Sequence, residues 1–266
     1  MFDILHISTL EAGKILLKYF EKELSIKQKT SHHDIVTQAD VEAQEVIMKT
    51  ICSEAEKHGI DKKDIGFIGE EGSNEIKKYT FIIDPLDGTS NFSSRIDYFG
   101  VSIACFKEGK PFAGLIYRPT TDELYYAEKE KGAFKIKKSR KTKLHIEPND
   151  IKTGFLLTNI SSSAEVRSQI LAKCDRLMEH FKNIRVYGAI AVDATILADN
   201  KCSAILYGKS GLWDIAAGLI IIRESGGEVY DLNGRIREVD ISDKFKKYPF
   251  FAVHPTLLNF FLQKLS

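Results

Sequence analysis

Long hydrophobic runs are missing from this sequence. The longest apolar runs, residues 218–222 and 249–253, are far shorter than the roughly 20 residues that a bilayer-spanning helix needs. The first ten residues contain no basic segment followed by an apolar one, which is the pattern of a signal peptide. We therefore expect a cytoplasmic protein with no membrane partner.

Cysteine is also scarce, and its spacing excludes two kinds of site. Four cysteines in 266 residues lie too far apart for the CxxC pairs of zinc or redox sites. We expect free, buried or half-buried thiols in a reducing compartment, because a free cysteine packs as a small hydrophobe. The four are Cys52, Cys105, Cys174 and Cys202.

The chain has no surplus of one charge. The 38 Lys and Arg residues balance 37 Asp and Glu, which leaves a formal net charge of +1. No net field therefore attracts nucleic acid, and we expect no nucleic-acid partner. The densest charge run, residues 129–143, is interpreted as a solvated hairpin with its turn at Lys131-Gly132.

The residues that are present allow a large core, since 43% of them are hydrophobic. Apolar residues at helical spacing predict two opening helices, one through Leu24 and one ending at Gly59. Short β-rich runs from Gly66 to Ile136 predict a largely antiparallel meander. After Pro148, strands and helices alternate. The predicted class is α/β (α+β), with an N-terminal α+β half (1–148) and a C-terminal α/β half (149–266).

The most informative stretch is residues 81–92, an apolar strand that ends in two carboxylates, Asp84 and Asp87. Pro85 fixes its own φ and stiffens the spacing of this pair. The carbonyl of Leu86 lies between them as a third possible oxygen ligand. Mg²⁺ prefers oxygen ligands of this kind and leaves positions for water and phosphate. The alternative interpretation is an ordinary turn built on Asp-Pro and Asp-Gly.

Backbone amides follow these acids directly. Gly88, Thr89 and Ser90 stand where a helical turn is predicted to begin, and free amides at a helix start can bind a phosphate. A second apolar strand ends in Glu70 and Glu71, so the two strands could pool their acids. The alternative for the Glu-Glu-Gly string is a solvated loop.

A third acid, Asp214, stands at the predicted start of a small-residue helix, where the helix dipole alone would favour a carboxylate. It follows Trp213, the only tryptophan in the chain. A fourth, Asp40, fits with Thr37 the Thr-x-x-Asp spacing of a helix capping box. For Asp40 the structural and the catalytic interpretations both remain open.

Four motifs, in this order and at these separations, resemble those of the inositol monophosphatase family of Mg²⁺-dependent, lithium-sensitive phosphatases. Weaker resemblance covers nearly the whole chain, including Arg185-x-x-Gly188. The four motifs are Asp34-x-Val-Thr-x-x-Asp40, Gly69-Glu-Glu-Gly72, Asp84-Pro-Leu-Asp-Gly-Thr-Ser-Asn-Phe92 and Trp213-Asp-x-Ala-Ala-Gly218.

The resemblance implies a five-layered α/β/α/β/α sandwich of the sugar phosphatase type, a homodimer, and two or three Mg²⁺ ions per active site. It implies that the N-terminal half carries most metal-site motifs and that the C-terminal half completes the site. The implied metal ligands are Glu70, Asp84, Asp87, Asp214 and the carbonyl oxygen of Leu86.

The resemblance also implies how water and phosphate are held. Glu70 and Thr89 would orient the attacking water, and Asp40 would pair with Thr89. Asp87, the Gly88 and Thr89 amides and Ser90 would contact the phosphate. Because metal ions can neutralise a phosphate dianion and activate water, no nucleophilic side chain is required. Consistent with this, the sequence has no HxxxH, GxSxG or CxxxxxR motif.

The sequence departs from the family pattern at a position that contacts the substrate in some members. In members that favour inositol phosphate, an acid seven residues before the Asp of the Trp-Asp motif binds sugar hydroxyls, and here that position is Tyr207. Fructose 1,6-bisphosphate, a 3′-phosphoadenosine 5′-phosphate-type nucleotide and a broad range of sugar phosphates therefore stay open beside inositol phosphate. We predict Arg185, Tyr207 and Lys209 as substrate contacts. Lys209 would meet a second phosphate, unless it is an ordinary surface lysine.

Two other classes of function make different predictions. A non-catalytic relative that binds RNA or the transcription machinery should have lost metal ligands or gained a basic surface. A metal-dependent nuclease or phosphodiesterase should show clustered Lys, Arg and aromatic residues along a groove for the strand. The sequence shows neither pattern, so the main prediction is hydrolysis of a small phosphate monoester.

Overall fold

The computed structural model describes residues 1–20, 26–28, 35–70, 72, 74–148 and 151–265, with backbone alone for 26–28 and 35–37. Asp34, Glu71 and the Thr37 side chain, which belong to the motifs above, lie outside this description.

Helices and strands alternate in blocks along the described ranges. The helices are α1 (Phe2–Phe20), α2 (Gln38–Lys57), α3 (Thr89–Ser93), α4 (Ala164–Met178), α5 (Ile190–Ala198), α6 (Leu212–Glu224) and α7 (Leu258–Leu265). The strands are β1 (Ile26–Gln28), β2 (Ile35–Thr37), β3 (Ile65–Gly69), β4 (Tyr79–Asp87), β5 (Gly100–Lys107), β6 (Lys110–Arg118), β7 (Glu123–Glu128), β8 (Gly132–Lys137), β9 (Arg140–Lys143), β10 (Phe155–Thr158), β11 (Asn183–Arg185), β12 (Ala204–Tyr207), β13 (Glu228–Tyr230) and β14 (Phe250–Val253).

Two large sheets organise the molecule. Strands β3 to β9 form a seven-stranded sheet in chain order, in which β3 and β4 are parallel and the other neighbours are antiparallel. The second sheet has the order β11-β10-β12-β14-β13, with β10 parallel to both of its neighbours. Helices α1 and α2 pack against the seven-stranded sheet, α5 and α6 contact both sheets, and α4 packs with α7 beside the second sheet. The expected five-layered sandwich is confirmed.

Helix α6 is the central element of the core. Its residues from Ile215 to Ile222 are all buried, as expected for a helix that is apolar on every side and lies between two layers. Its small residues allow close packing: a Cβ at Gly218 would lie 2.7 Å from the Cβ of Ala194 on α5. A Cβ at Gly114 on β6 would likewise lie too close to the backbone of Ala217 on α6.

The predicted elements agree with the structure except at several places. The predicted hairpin in residues 129–143 contains a second turn, at Lys138-Ser139, and the further strand β9. The short hairpin β1–β2, the strand β14 and the helix α7 were not predicted. The halves 1–148 and 149–266 share one hydrophobic cluster, in which Ile82 and Ile116 pack with residues of α6. Their division into two domains stays a prediction.

In the part of the chain described here, none of the helices combines the length and the apolar character needed to cross a bilayer. All four cysteines are free thiols, three of them buried and Cys52 half-buried, as expected.

Candidate active site

The ends of two parallel strands bring the first acids together. Gly69 on β3 pairs with Ile83 on β4, so the next residues, Glu70 and Asp84, are neighbours across the strands. Asp84 is buried, and its Oδ1 accepts a hydrogen bond of 3.2 Å from the amide of Leu86. Glu70 is exposed.

An irregularity in β4 brings the Asp84 and Asp87 side chains to one face of the sheet. In a regular strand, residues three positions apart point to opposite faces. Here Asp84 pairs with Ser102 and Asp87 with Gly100, so three steps on β4 correspond to two on β5. This bulge inserts one residue and re-aims the second carboxylate. Strand β4 runs through both carboxylates and ends at Asp87.

The turn after Asp87 requires glycine. Gly88 has φ +90°, and a Cβ there would lie 3.0 Å from both the Ala189 Cβ and the Tyr98 carbonyl oxygen. Thr89 then begins α3, as predicted, and its hydroxyl donates to the carbonyl of Leu86 at 3.0 Å. Two of the predicted functional groups are thus in direct contact.

Asp87 also caps a helix that is distant in sequence. Its Oδ1 accepts from the Ile190 amide at 3.0 Å, and its Oδ2 accepts from the Val192 amide at 2.8 Å. Both amides belong to the first turn of α5, whose own N-cap residue, Ala189, supplies no side-chain cap. Burial raises the pKa of Asp87, and the Val192 amide opposes that rise. Sequence analysis missed this contact, because nothing local signals it.

Asp214 is the third residue of α6, where its Oδ2 accepts from the Gly211 amide at 2.5 Å. Burial raises the pKa of Asp214, while this bond and the charge of Lys247 lower it. Lys247 lies with its Nζ 5.5 Å from the centre of the Trp213 ring. The first turns of α5 and α6 both face carboxylates, as the helix dipole favours.

Asp40 is the third residue of α2 and is 3% exposed. One turn later on the same helix, the Gln44 side chain lies against Gly69, where a Cβ would come within 2.4 Å of Gln44 Oε1. Helix α2 therefore brings Asp40 to the end of β3.

Burial and nearby acids both affect the pKa of Asp84. It is raised well above the usual value, first by burial and then by the charges of four further acids. They are Glu70, Asp87, Asp214 and Asp40. As the side chains stand, no three Asp, Glu, His or Cys residues within the described ranges are grouped closely enough to hold one metal ion.

A cleft of about 410 Å³ opens beside these acids. Asp87 and Asp214 line it together with Ser90, Asn91, Asn159 and Gly188. The other predicted substrate residues are not part of its described lining. The Arg185 guanidinium lies 4.8 Å from the centre of the Phe155 ring, and Lys209 is exposed.

The burial and the contacts of the Tyr207 side chain differ most from its predicted role. Its side chain is fully buried, and its hydroxyl donates to Oδ2 of Asp193. The prediction that Tyr207 contacts substrate directly is therefore wrong for this structure, because a completely enclosed side chain presents no surface to a ligand.

Asp193 was not predicted as a functional residue, although the sequence carried a signal: it is the only charged residue in the apolar helix α5. It is fully buried, and Tyr98 also donates to it, at 2.5 Å. Burial raises the pKa of Asp193 to about 7, and the bonds from both tyrosines favour the ionised form.

The fold and the site define an α/β/α/β/α sandwich with a cluster of carboxylates at the starts of two central helices. Residues 3–252 match the inositol monophosphatase family, and the chain belongs to that family.

Individual relatives agree with this membership. The chain is 30% identical over 238 residues to an inositol-1-monophosphatase of Mesorhizobium japonicum, which covers 88% of this chain and 86% of the relative. It is 33% identical over 227 residues to the Nus factor SuhB of Xylella fastidiosa, covering 84% and 78%. Among solved structures, the extragenic suppressor protein suhB of Bartonella henselae superposes with a TM-score of 0.85 at 27% identity, covering 100% of this chain and 98% of the other.

Proposed function

We propose that this protein is a Mg²⁺-dependent phosphatase that hydrolyses a small phosphate monoester to an alcohol and inorganic phosphate. The observation that carries the proposal is geometric: Glu70 and Asp84 follow paired residues of two parallel strands, and Asp87 and Asp214 line an open cleft. Family membership supports the phosphatase class, since the family is named for that activity.

The residues fit Mg²⁺ by their chemistry. The implied donor set of Glu70, Asp84, Asp87, Asp214 and the Leu86 carbonyl consists of oxygen atoms alone, which suits a hard cation. The neighbouring acids raise the pKa of Asp84, and Asp214 raises the pKa of Asp87, so a bound cation would relieve this repulsion. Mg²⁺ usually takes only one or two protein carboxylates and completes its shell with water and substrate phosphate. Carboxylates that are spread beside an open cleft agree with this coordination preference of Mg²⁺.

When bound, Mg²⁺ would neutralise the phosphate charge and lower the pKa of a water molecule. Residues of the chain would orient the water, accept its proton and hold the phosphate. Glu70 and Thr89 would orient the water, and Asp40 would accept a proton through Thr89. The Gly88 and Thr89 amides and the Ser90 side chain would hold the phosphate. In the structure the Thr89 proton is directed to the Leu86 carbonyl, so a bond to Asp40 requires the hydroxyl to rotate.

The proposal is tested by phosphate release from a panel of inositol monophosphate, fructose 1,6-bisphosphate, adenosine 3′,5′-bisphosphate and NADP. We expect hydrolysis of at least one compound with millimolar Mg²⁺, its loss in EDTA, and its recovery when Mg²⁺ is restored in excess. Activity that persists in EDTA would contradict the metal assignment. No hydrolysis of any phosphate monoester would instead favour a non-catalytic role, which the similarity to a Nus factor keeps open.

Lys209 is proposed as the contact to a second phosphate. Since such a contact binds a remote group in the ground state, Lys209→Ala should raise KM for bisphosphates by about tenfold and leave KM for monophosphates unchanged. Lys246→Ala, which removes another exposed lysine, is the control. Equal KM changes for both substrate types would make Lys209 an ordinary surface residue, in agreement with its position outside the described cleft lining.

The homodimer is also part of the proposal. Exposed apolar residues cluster around α4 and β11, where Leu171, Met178 and Val186 are 48%, 59% and 48% exposed. They line a groove of about 560 Å³ that shares Ile160 and Val186 with the wall of the catalytic cleft. We propose that a second copy of the chain covers this face, and the particle mass in solution decides whether it does.

A further inference from the structure

The buried carboxylate of Asp193 joins three segments of the chain. It lies on α5 and accepts hydrogen bonds from Tyr98, in the loop before β5, and from Tyr207, the last residue of β12. All of its side chain is enclosed, and a buried carboxylate without partners would be strongly unfavourable. The two hydroxyls therefore determine where this turn of α5 can lie.

The same turn of α5 holds Asp87. Val192, whose amide donates to Asp87, is the residue directly before Asp193, and the Ile190 amide donates to the other carboxylate oxygen. Asn91 on α3 ties the Tyr98 loop to the segment before α5, since its Nδ2 donates to the carbonyls of Tyr98 and Tyr187, both at 2.8 Å. A shift of Asp193 would therefore move the amides that orient Asp87.

We propose that Asp193, held by Tyr98 and Tyr207, is a positioning residue that sets the first turn of α5 and thereby the Asp87 carboxylate at the metal site. The inference rests on the proposed function, because it takes Asp87 as a metal ligand. It gives Tyr207 a role behind the site in place of the substrate contact that its sequence position suggested. Hydrogen bonds in so enclosed a place are strong and directional, which suits them to positioning.

The chain offers a matched pair of variants. Tyr207→Phe removes the hydroxyl at the N-terminal end of α5. Tyr125→Phe removes a hydroxyl of an equally buried tyrosine that donates to Asp199, the C-cap of the same helix, at 3.3 Å. Both changes delete one Tyr–Asp bond to α5, fully buried for Tyr207 and partly buried for Tyr125, but only the first lies next to the amides that hold Asp87.

The measurement is Mg²⁺ binding to the substrate-free protein by calorimetry, together with melting temperature, kcat and KM. Loss of a partner behind a metal ligand typically weakens metal binding by 10- to 100-fold. We expect Tyr207→Phe to weaken Mg²⁺ binding about tenfold, with KM unchanged at saturating Mg²⁺. Tyr125→Phe should bind Mg²⁺ as wild type does, and its melting temperature should fall less, because Asp199 keeps its ion pairs with Lys135 and Lys201. Tyr98→Phe should change Mg²⁺ binding in the same direction as Tyr207→Phe.

Equal Mg²⁺ affinity in Tyr207→Phe, Tyr125→Phe and wild type would overturn the inference and leave the hydroxyl a structural role alone. A changed KM with unchanged Mg²⁺ affinity would also overturn it, in favour of substrate contact. If the wild-type protein hydrolyses phosphate monoesters with Mg²⁺, either result leaves the proposed function standing. A wild-type protein that neither binds Mg²⁺ nor releases phosphate would overturn the proposed function and this inference together.

Discussion

Asp87→Asn is expected to reduce turnover to background while the protein stays folded. The proposed role needs a negatively charged ligand that would hold the cation, and an amide keeps the shape of the side chain without the charge. Removing one group that stabilises charge in the transition state commonly costs about 10²–10³ in kcat, and loss of a charged ligand should cost at least as much. The measurement is kcat across Mg²⁺ concentrations.

The stability of Asp87→Asn should change little. An amide can accept only one of the two α5 amide bonds, which costs about 0.5–2 kcal/mol for a lost helix cap. Removing one of several repelling acids acts in the opposite direction. We therefore expect the melting temperature in EDTA to stay within about 4 °C of wild type.

The control for this variant is Asp231→Asn. Asp231 Oδ1 also accepts two backbone amides, from Asn233 and Arg235, each at 2.9 Å, but it is not among the acids that act on Asp84. Its kcat should equal that of wild type. If Asp87 were only a turn residue, asparagine would serve as well there, so a near wild-type kcat for Asp87→Asn would refute its role as a metal ligand.

Asp40→Asn is expected to lower kcat by about 10²–10⁴, the usual cost of losing an acid–base group. Asp40 is buried at the start of α2 and acts on the pKa of Asp84, which places its charge within reach of the site. As a helix cap alone, it would contribute about 0.5–2 kcal/mol to stability. Loss of the acid–base role would therefore lower kcat, whereas loss of the capping role would lower the melting temperature. Both quantities are measured at saturating Mg²⁺.

Asp61→Asn is the control for the capping role, because Asp61 accepts from the Lys63 amide at 3.0 Å as the cap of a short 3-10 helix. That variant should lose a little stability and no activity. An intact kcat with a lowered melting point in Asp40→Asn would reduce Asp40 to the same role.

The acids of the site could be found from sequence because each lies where a recognisable local pattern changes. Asp84 and Asp87 lie at the end of an apolar strand, and Asp214 is in the first turn of a helix of small residues. These patterns depend on periodicity and turn chemistry over a few residues. The central helices and most strands of the sheets were predictable for the same reason.

Elements at the end of the chain were less predictable. Strand β14 has only four residues, and α7 has eight, so neither offers many repeats of a period. Strand β14 is placed between β12 and β13 by pairing with residues far away in the sequence. Residues 249–253 form an apolar run in the sequence, but so short a run does not by itself indicate a strand.

Local sequence patterns are enough to identify the acids of the site and the fold family to which they belong. Only the tertiary structure decided that a bulge brings Asp84 and Asp87 to one face, that Asp87 caps a helix 103 residues further on, and that Tyr207 lies behind the site. Local patterns record the preferences of neighbouring residues, whereas strand registers and helix contacts arise when the layers pack. The side chain at a motif position is therefore known from the sequence, but its partner is known only from the fold.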